Sequence, residues 1–146
     1  MNNREYRRLT VEDTDRVVTL NDTFRSGFAS LSEVGIFLIN PQNWFFACIE
    51  EDQIIGFAYG YELNRLDHQG NMLYLHEVSV LPQFQRQSIG SQLLSEVKSL
   101  SRLMGICKIF LLTQKSNTAA CHLYEKSGGE KSGEKGDDVV YSFKIN

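Results

Sequence analysis

Between Leu73 and Leu81 the chain reads LYLHEVSVL, a β-branched and apolar run that stops at Pro82. It then passes through the polar segment Gln85-Arg86-Gln87-Ser88-Ile89-Gly90. Beyond it, Ile89, Leu93, Val97, Leu100 and Met104 recur at spacings of three and four. The pattern predicts a strand, a short loop, and an amphipathic helix running from near Ser88 to about Leu103 and ended by Gly105. This order constrains the fold because a helix start leaves backbone N–H groups unbonded and carries partial positive charge. A loop feeding such a start can present several donors to a phosphate. It is not a Walker loop, having no Gly-Lys-Ser/Thr, nor a dinucleotide GxGxxG, having only Gly90.

Tyr6 to Leu9 reads as a first strand, and Thr10 with Asp13 as the cap of a helix carrying Val11, Val17, Val18, Leu20 and Phe24. Ser30 to Ile39 reads as a second helix, stopped by Asn40-Pro41. Strands follow at Trp44–Glu50 and Ile54–Leu63, joined by the turn Glu51-Asp52-Gln53. The loop Asn64–Asn71 leads to the strand Met72–Leu81. After the amphipathic helix come a strand at Ile106–Leu112 and a helix opened by Asn117. That helix is closed by Lys126-Ser127-Gly128, a basic last turn with a Gly cap. Gly128 to Asp138, rich in Gly and charge, reads as loop with at most a weak strand, and Val139–Ile145 as the last strand. The order is β-α-α-β-β-β-α-β-α-β, with no repeat or linker, so residues 1–146 form one domain.

Composition excludes several classes. A net charge of −3 gives no electrostatic case for nucleic acid. Cys48, Cys107 and Cys121 are too few and too scattered for a disulfide framework or a zinc site, so no metal is expected. The N-terminal MNNREYRRLT has positive charges without an apolar stretch after them, and no run approaches membrane-spanning length. The expectation is a cytoplasmic protein with no membrane partner.

The loop resembles the pyrophosphate-binding signature of the GNAT N-acetyltransferases, Arg/Gln-x-x-Gly-x-Gly/Ala, with Gln85, Ser88 and Gly90 at its defined positions. The segment Asn117-Thr-Ala-Ala-Cys-His-Leu-Tyr-Glu-Lys-Ser-Gly128 is similar to the late helix of that family, Asn-x-x-Ala-x-x-x-Tyr-x-Lys-x-Gly. The resemblance implies an α/β GNAT fold, a mixed central sheet flanked by helices on both faces. It implies acetyl-CoA as cosubstrate, held by Val78, Ser79 and Val80, by the loop residues Gln85, Arg86, Gln87, Ser88, Ile89, Gly90 and Ser91, and by Asn117 and Tyr124. Two positions depart from the pattern: Gln85 stands where Arg is common, and Ser88 where Gly is common. Glycine permits positive φ, so a serine there is expected in a helical backbone conformation.

Glu77 is the only acid in the run Met72–Leu81. A carboxylate in such a strand is costly unless solvated, paired or used, and partial desolvation suits it to general-base work. The competing role is an ion pair at a strand end. His76 is expected on the opposite face from Glu77 if the strand is regular, as a plain sheet-face residue. His68 and His122 carry no motif. Trp44, Phe45, Phe46, Phe57, Tyr59 and Tyr61 are expected mostly as core, with one or two lining an acceptor groove.

The resemblance implies direct transfer in a ternary complex. Glu77, directly or through a water, takes the proton of a primary amine, a backbone N–H near Val78 stabilises the thioester oxygen, and Tyr124 protonates the departing thiolate. Cys121 has no neighbouring base and is not expected to act as a nucleophile. The Tyr74-Leu-His-Glu-Val-Ser-Val strand and the Gln-Arg-Gln loop resemble those of aminoglycoside 3-N-acetyltransferases. This points to an aminoglycoside or other small polyamine, with Glu62, Asp67, Asp137 and Asp138 as candidate acids on the acceptor side. The alternatives are a peptide or protein acceptor, or a non-enzymatic acyl-CoA-binding regulatory domain. Assembly is left open, a homodimer included.

Overall fold

The computed structural model describes residues 3–25, 29–67 and 69–145. Seven strands form one sheet in the order β1-β2-β3-β4-β5-β7-β6. They are β1 (Arg4–Arg8), β2 (Asn43–Glu50), β3 (Gln53–Leu63), β4 (Asn71–Val80), β5 (Ile106–Gln114), β6 (Glu130–Lys135) and β7 (Asp138–Lys144). All neighbours are antiparallel except β4 and β5, which run parallel. A parallel pair needs a crossover, supplied by the helix between them. The helices are α1 (Thr14–Arg25), α2 (Leu31–Ile39), α3 (Ile89–Leu103) and α4 (Thr118–Lys126).

Helices cover both faces, as expected. The Ile89, Leu93 and Val97 stripe of α3 buries itself with Tyr124 of α4 against Leu73, Leu75, Ile109 and Leu111. Val17 and Leu20 of α1 and Val34 of α2 bury themselves on the other face, against Phe45, Ala47 and Phe57. Strand alternation divides the aromatic residues between the two cores: Trp44 and Phe46 go to the first, Phe45 and Phe57 to the second. The hairpin between β2 and β3 turns through Glu51 and Asp52, both at positive φ (50° and 66°), which a tight two-residue connection demands.

Between Gly128 and Asp138, read as loop with at most a weak strand, the strand is present and longer than expected. Glu130–Lys135 is a full strand paired with β7. Every one of its residues is exposed, so no apolar alternation marks it. It forms one edge of the sheet, where Lys and Glu guard unpaired backbone groups against association. Gly128 (φ 95°) ends α4 in a Schellman arrangement, with Gly129 N–H donating to Tyr124 O at 2.8 Å and Gly128 N–H to Glu125 O at 3.1 Å. Among the described residues, no helix is long and apolar enough to cross a membrane.

The predicted cap at Thr10 is present, but its first turn, Val11–Asp13, is a 3₁₀ turn leading into α1. Asp13 closes the capping box and is also the charged centre of this corner, its side chain 3% exposed. It accepts from Arg7 at 2.9 and 2.7 Å, from Arg16 at 2.9 Å and from the Thr10 N–H at 2.9 Å. Asp13→Ala is expected to cost about 2–3 kcal/mol, because charge-assisted bonds are lost while both arginines rehydrate. The Arg7 guanidinium holds the Asp13 carboxyl below the usual carboxylate range. Its contribution is therefore complete above about pH 4 and lost as pH falls through the lowered value. Urea unfolding should show a wild-type-to-variant gap near neutrality that closes in strong acid.

Candidate active site

Strand β4 carries the first element of the site. Its register against β3 runs Ala58↔Val78 and Tyr59↔Glu77, then jumps to Gly60↔Leu75, which leaves His76 as an extra residue. This is a β-bulge, and it reverses the alternation of side chains. Leu73, Leu75, Val78 and Val80 belong to the α3 face. Tyr74 and His76 share the other face through a 3.1 Å contact of Tyr74 Oη with His76 Nδ1. Glu77 lies on that face too, lining a cavity with Tyr59 and Tyr61 while Ser79 Oγ donates to its Oε2 at 3.2 Å. The expectation that His76 and Glu77 point to opposite faces is thus corrected: the bulge turns both the same way. Gly60 permits it, since a Cβ there would stand 1.8 Å from the Tyr74 carbonyl oxygen.

The cavity, about 280 Å³, lies between the sheet and α1 and α2. Phe24, Phe37, Phe45, Phe57, Tyr59 and Tyr61 supply its aromatic lining. Its acidic groups among the described residues are Glu77 and Glu33. Glu33 is the N3 residue of α2, and its carboxylate accepts from the Ser30 N–H at 3.2 Å. That bond holds Glu33 below the usual carboxylate range and therefore charged near neutrality. The sequence offered a signal for it in the box Ser30-x-x-Glu33. The walls contributed by Phe24 and Phe37 depend on how the helices dock, which the pattern does not encode.

The acids expected on the acceptor side do not line this cavity. Glu62 accepts from Trp44 Nε1 at 3.1 Å and from Asn71 Nδ2 at 2.7 Å. Asp67 pairs with Arg65. Asp137 holds the Ser116 N–H (3.1 Å) and hydroxyl (2.7 Å). Asp138 belongs to β7, opposite Gln114 and Lys135. His68 lies outside the described residues.

The second element is a split in the sheet. Pairing of β4 with β5 runs to Leu75↔Leu111 and goes no further, although β4 continues to Val80 and β5 to Gln114. Every second N–H and C=O of β4 from His76 onward therefore faces a gap instead of a strand. Val78, Ser79 and Val80 border this gap, and one of its acceptors, Val80 O, takes a bond from Gln85 Nε2 at 3.1 Å.

Directly beyond, the loop enters α3. The first intrahelical bond is Gln92 N–H to Ser88 O at 3.0 Å, so the N–H groups of Ile89, Gly90 and Ser91 are those the helix start leaves over. Ser88 is not helical as expected. It is the N-cap at φ 64°, ψ 16°, in the left-handed region, and its side chain makes no capping bond. Arg86 is also at positive φ (63°). The glycine-like conformation is thus kept without the glycine. Left-handed geometry costs a non-glycine residue about 1–2 kcal/mol, partly offset by the entropy a glycine loses on folding. Ser88→Gly should therefore stabilise by about 0.5–1 kcal/mol, read as a rise in Tm; a fall would contradict the assigned strain.

Gly90 has a packing duty: a Cβ there would meet Leu123 of α4 at 3.0 Å. Gln87 accepts from Arg4 of β1, tying the loop to the far side of the sheet. Arg86 is exposed and makes no ion pair among the described residues. Asn117 caps α4 by accepting from Ala120 N–H at 3.2 Å. Tyr124, 6% exposed, lies on the α3–α4 face beside Tyr141. Burial, and secondarily Cys121, pushes its phenol up to about 12, so it stays protonated at neutral pH. Glu77 and Tyr124 thus belong to opposite faces of the sheet, with the split strands β4 and β5 between them. Among the described residues, no group of three or more His, Cys, Asp or Glu is placed to hold a metal ion.

Residues 7–129 match the model of a family described as the acetyltransferase (GNAT) family. No curated protein sequence matches the chain. Among solved structures, an acetyltransferase of the GNAT family from Streptococcus pneumoniae superposes with a TM-score of 0.82 at 20% identity, covering 99% of this chain and 100% of that one. Arabidopsis thaliana NAA60 in complex with acetyl-CoA gives 0.77 at 14% identity, covering 98% and 99%. The aminoglycoside acetyltransferase meta-AAC0020, from an uncultured soil metagenomic sample and in complex with trehalose, gives 0.79 at 18% identity, covering 91% of each chain. At these identities the structures establish a shared fold.

Proposed function

The chain belongs to the GNAT family of acetyl-CoA-dependent acetyltransferases, and from that premise we propose that it acetylates a primary amine bound in the α1–α2 cavity. The observation that carries this reading is the bulge at His76, which turns Glu77 into the cavity on the strand that then parts from β5.

The residues present fit the cosubstrate. A pyrophosphate suits the left-over N–H groups of Ile89, Gly90 and Ser91, the positive-φ loop at Arg86 and Ser88, and the exposed Arg86 guanidinium. The unpaired edge of β4 at Val78, Ser79 and Val80 suits an extended amide-bearing arm, and Asn117 stands at the start of α4. Acetyl-CoA, when bound, supplies an acyl carbon activated as a thioester.

The chain's own groups handle the protons. An ammonium cannot attack, so Glu77 takes one proton from the amine and frees its lone pair. Tyr124 Oη, protonated at neutral pH, gives one proton to the leaving sulfur. One C–N bond forms and one C–S bond breaks; the second proton that the nitrogen loses to become an amide passes to solvent, where Glu77 also releases its proton and Tyr124 recovers one. Cys121 has no part in this: its Sγ donates to Gln114 O at 3.5 Å, and the Tyr141 hydroxyl is a further polar neighbour.

The cosubstrate site is tested at Arg86. Arg86→Glu should weaken acetyl-CoA binding by more than about tenfold, by setting a negative charge against the pyrophosphate. Titration calorimetry giving wild-type affinity in a folded variant would remove the phosphate site.

A further inference from the structure

The cavity beside Glu77 specifies the body of the acceptor as well as its amine. Phe45, Phe57 and Tyr59 form a triangular cluster of nearly parallel rings, with Phe57 6.2 Å from Tyr59. Phe45 lies 5.6 Å from Tyr59 at 7° and 5.6 Å from Phe57 at 26°. Two rings from the helices meet this cluster edge-on: Phe24 against Phe57 at 5.5 Å and 79°, and Phe37 against Tyr59 at 5.8 Å and 86°. A cavity walled by such a cluster and its edge-on neighbours offers a flat ring partners of both kinds, because aromatic quadrupoles favour offset-stacked and T-shaped neighbours.

From this geometry we infer that the acceptor is a compact arylalkyl amine, a flat aromatic ring carrying a primary amine on a short aliphatic arm. The inference rests on the acetyl-transfer reading above and names only its acceptor. Size agrees with it. A protein cavity of about 150 Å³ lined by apolar side chains holds benzene. The 280 Å³ here is therefore suited to roughly nine to twelve non-hydrogen atoms, the scale of phenethylamine or tryptamine.

Charge agrees as well. The arriving ammonium meets the Glu77 carboxylate, a second charged carboxylate at Glu33, and the electron-rich faces of aromatic residues. A polyhydroxylated aminoglycoside is poorly matched, since each hydroxyl or extra ammonium buried without a partner costs about 1–3 kcal/mol. The described lining offers few polar groups to meet them, chiefly Asn21 and the two tyrosines beside the two acids. A linear polyamine would fill the aromatic cavity with a thin chain and forfeit contacts that a flat ring makes.

The test begins with calorimetry of acetyl-CoA on the full chain. Thiol-release assays then follow with phenethylamine, tryptamine, spermidine, gentamicin and a peptide panel. Phenethylamine and tryptamine should show kcat/KM at least about tenfold above every other acceptor. Phe37→Ala should raise the phenethylamine KM about tenfold while acetyl-CoA affinity holds; Phe37→Leu serves if the alanine variant does not fold. Acetyl-CoA binding combined with preference for spermidine, gentamicin or peptides, or with no turnover of either arylalkyl amine, overturns the acceptor class and leaves the cosubstrate site standing. Failure of acetyl-CoA to bind sinks the parent reading, and the acceptor class with it.

Discussion

Glu77→Gln lowers turnover by about 10²-fold or more, with acetyl-CoA bound as tightly as by the wild type. The substitution keeps the size of the side chain and its place on the cavity face of β4, and it removes only the proton acceptor. Ser79 Oγ still finds an oxygen on the amide. The loss should fall on kcat, because the amine enters but is not deprotonated. Raising the pH, which supplies more neutral amine from solution, should restore part of the rate. A variant that runs at the wild-type rate across pH would move the base elsewhere. His76, brought to the same face by the bulge, would then be the next residue to replace.

Gly60→Ala has the largest expected effect on stability, a loss of at least about 3 kcal/mol. The added methyl would stand 1.8 Å from Tyr74 O and 2.8 Å from Leu75 Cα. Both are backbone atoms of the neighbouring strand, so no side chain can swing aside to relieve the contact. Relief requires β3 and β4 to part or the register to slip, and a one-residue slip reverses every side chain beyond it. The variant should therefore unfold at lower urea concentration. Any folded fraction should lose amine acetylation before acetyl-CoA binding, since the α3 loop lies outside the bulge. Gly56→Ala makes a useful contrast: its Cβ would meet Ile89 Cγ2 at 2.8 Å, a side-chain atom that can shift. Equal losses in the two variants would contradict the role given to the bulge.

Much of this site is legible in the sequence, for reasons that individual residues show. The strand, loop and helix from Leu73 to Leu103 announce themselves through a change of period and through Pro82, and Asn117 and Tyr124 come at a helical spacing that cannot be mistaken for strand. The bulge leaves only a faint trace: the apolar positions Leu73 and Leu75 change phase to Val78 and Val80 across His76-Glu77, and the Gly60 that admits it lies on another strand. β6 escapes for a different reason: Glu-Lys-Ser-Gly-Glu-Lys buries no face, so its pairing leaves no hydrophobic trace. Ser88 misleads because a serine is ordinarily placed in a helix or cap by propensity, whereas here the loop holds it left-handed. The acceptor cavity is the least legible part. Phe24, Phe37 and Glu33 join Phe45 and Tyr59 through the docking of α1 and α2, a tertiary event with no local signature.

Initial rates measured over a matrix of acetyl-CoA and phenethylamine concentrations test the central claim most directly, namely transfer between two molecules held together across the split sheet. The account predicts double-reciprocal lines that intersect, with no acetyl group on the protein by mass spectrometry after incubation with acetyl-CoA alone. Parallel lines, together with an acetylated Cys121 under those conditions, would show that the acyl group is first passed to the enzyme and would contradict it.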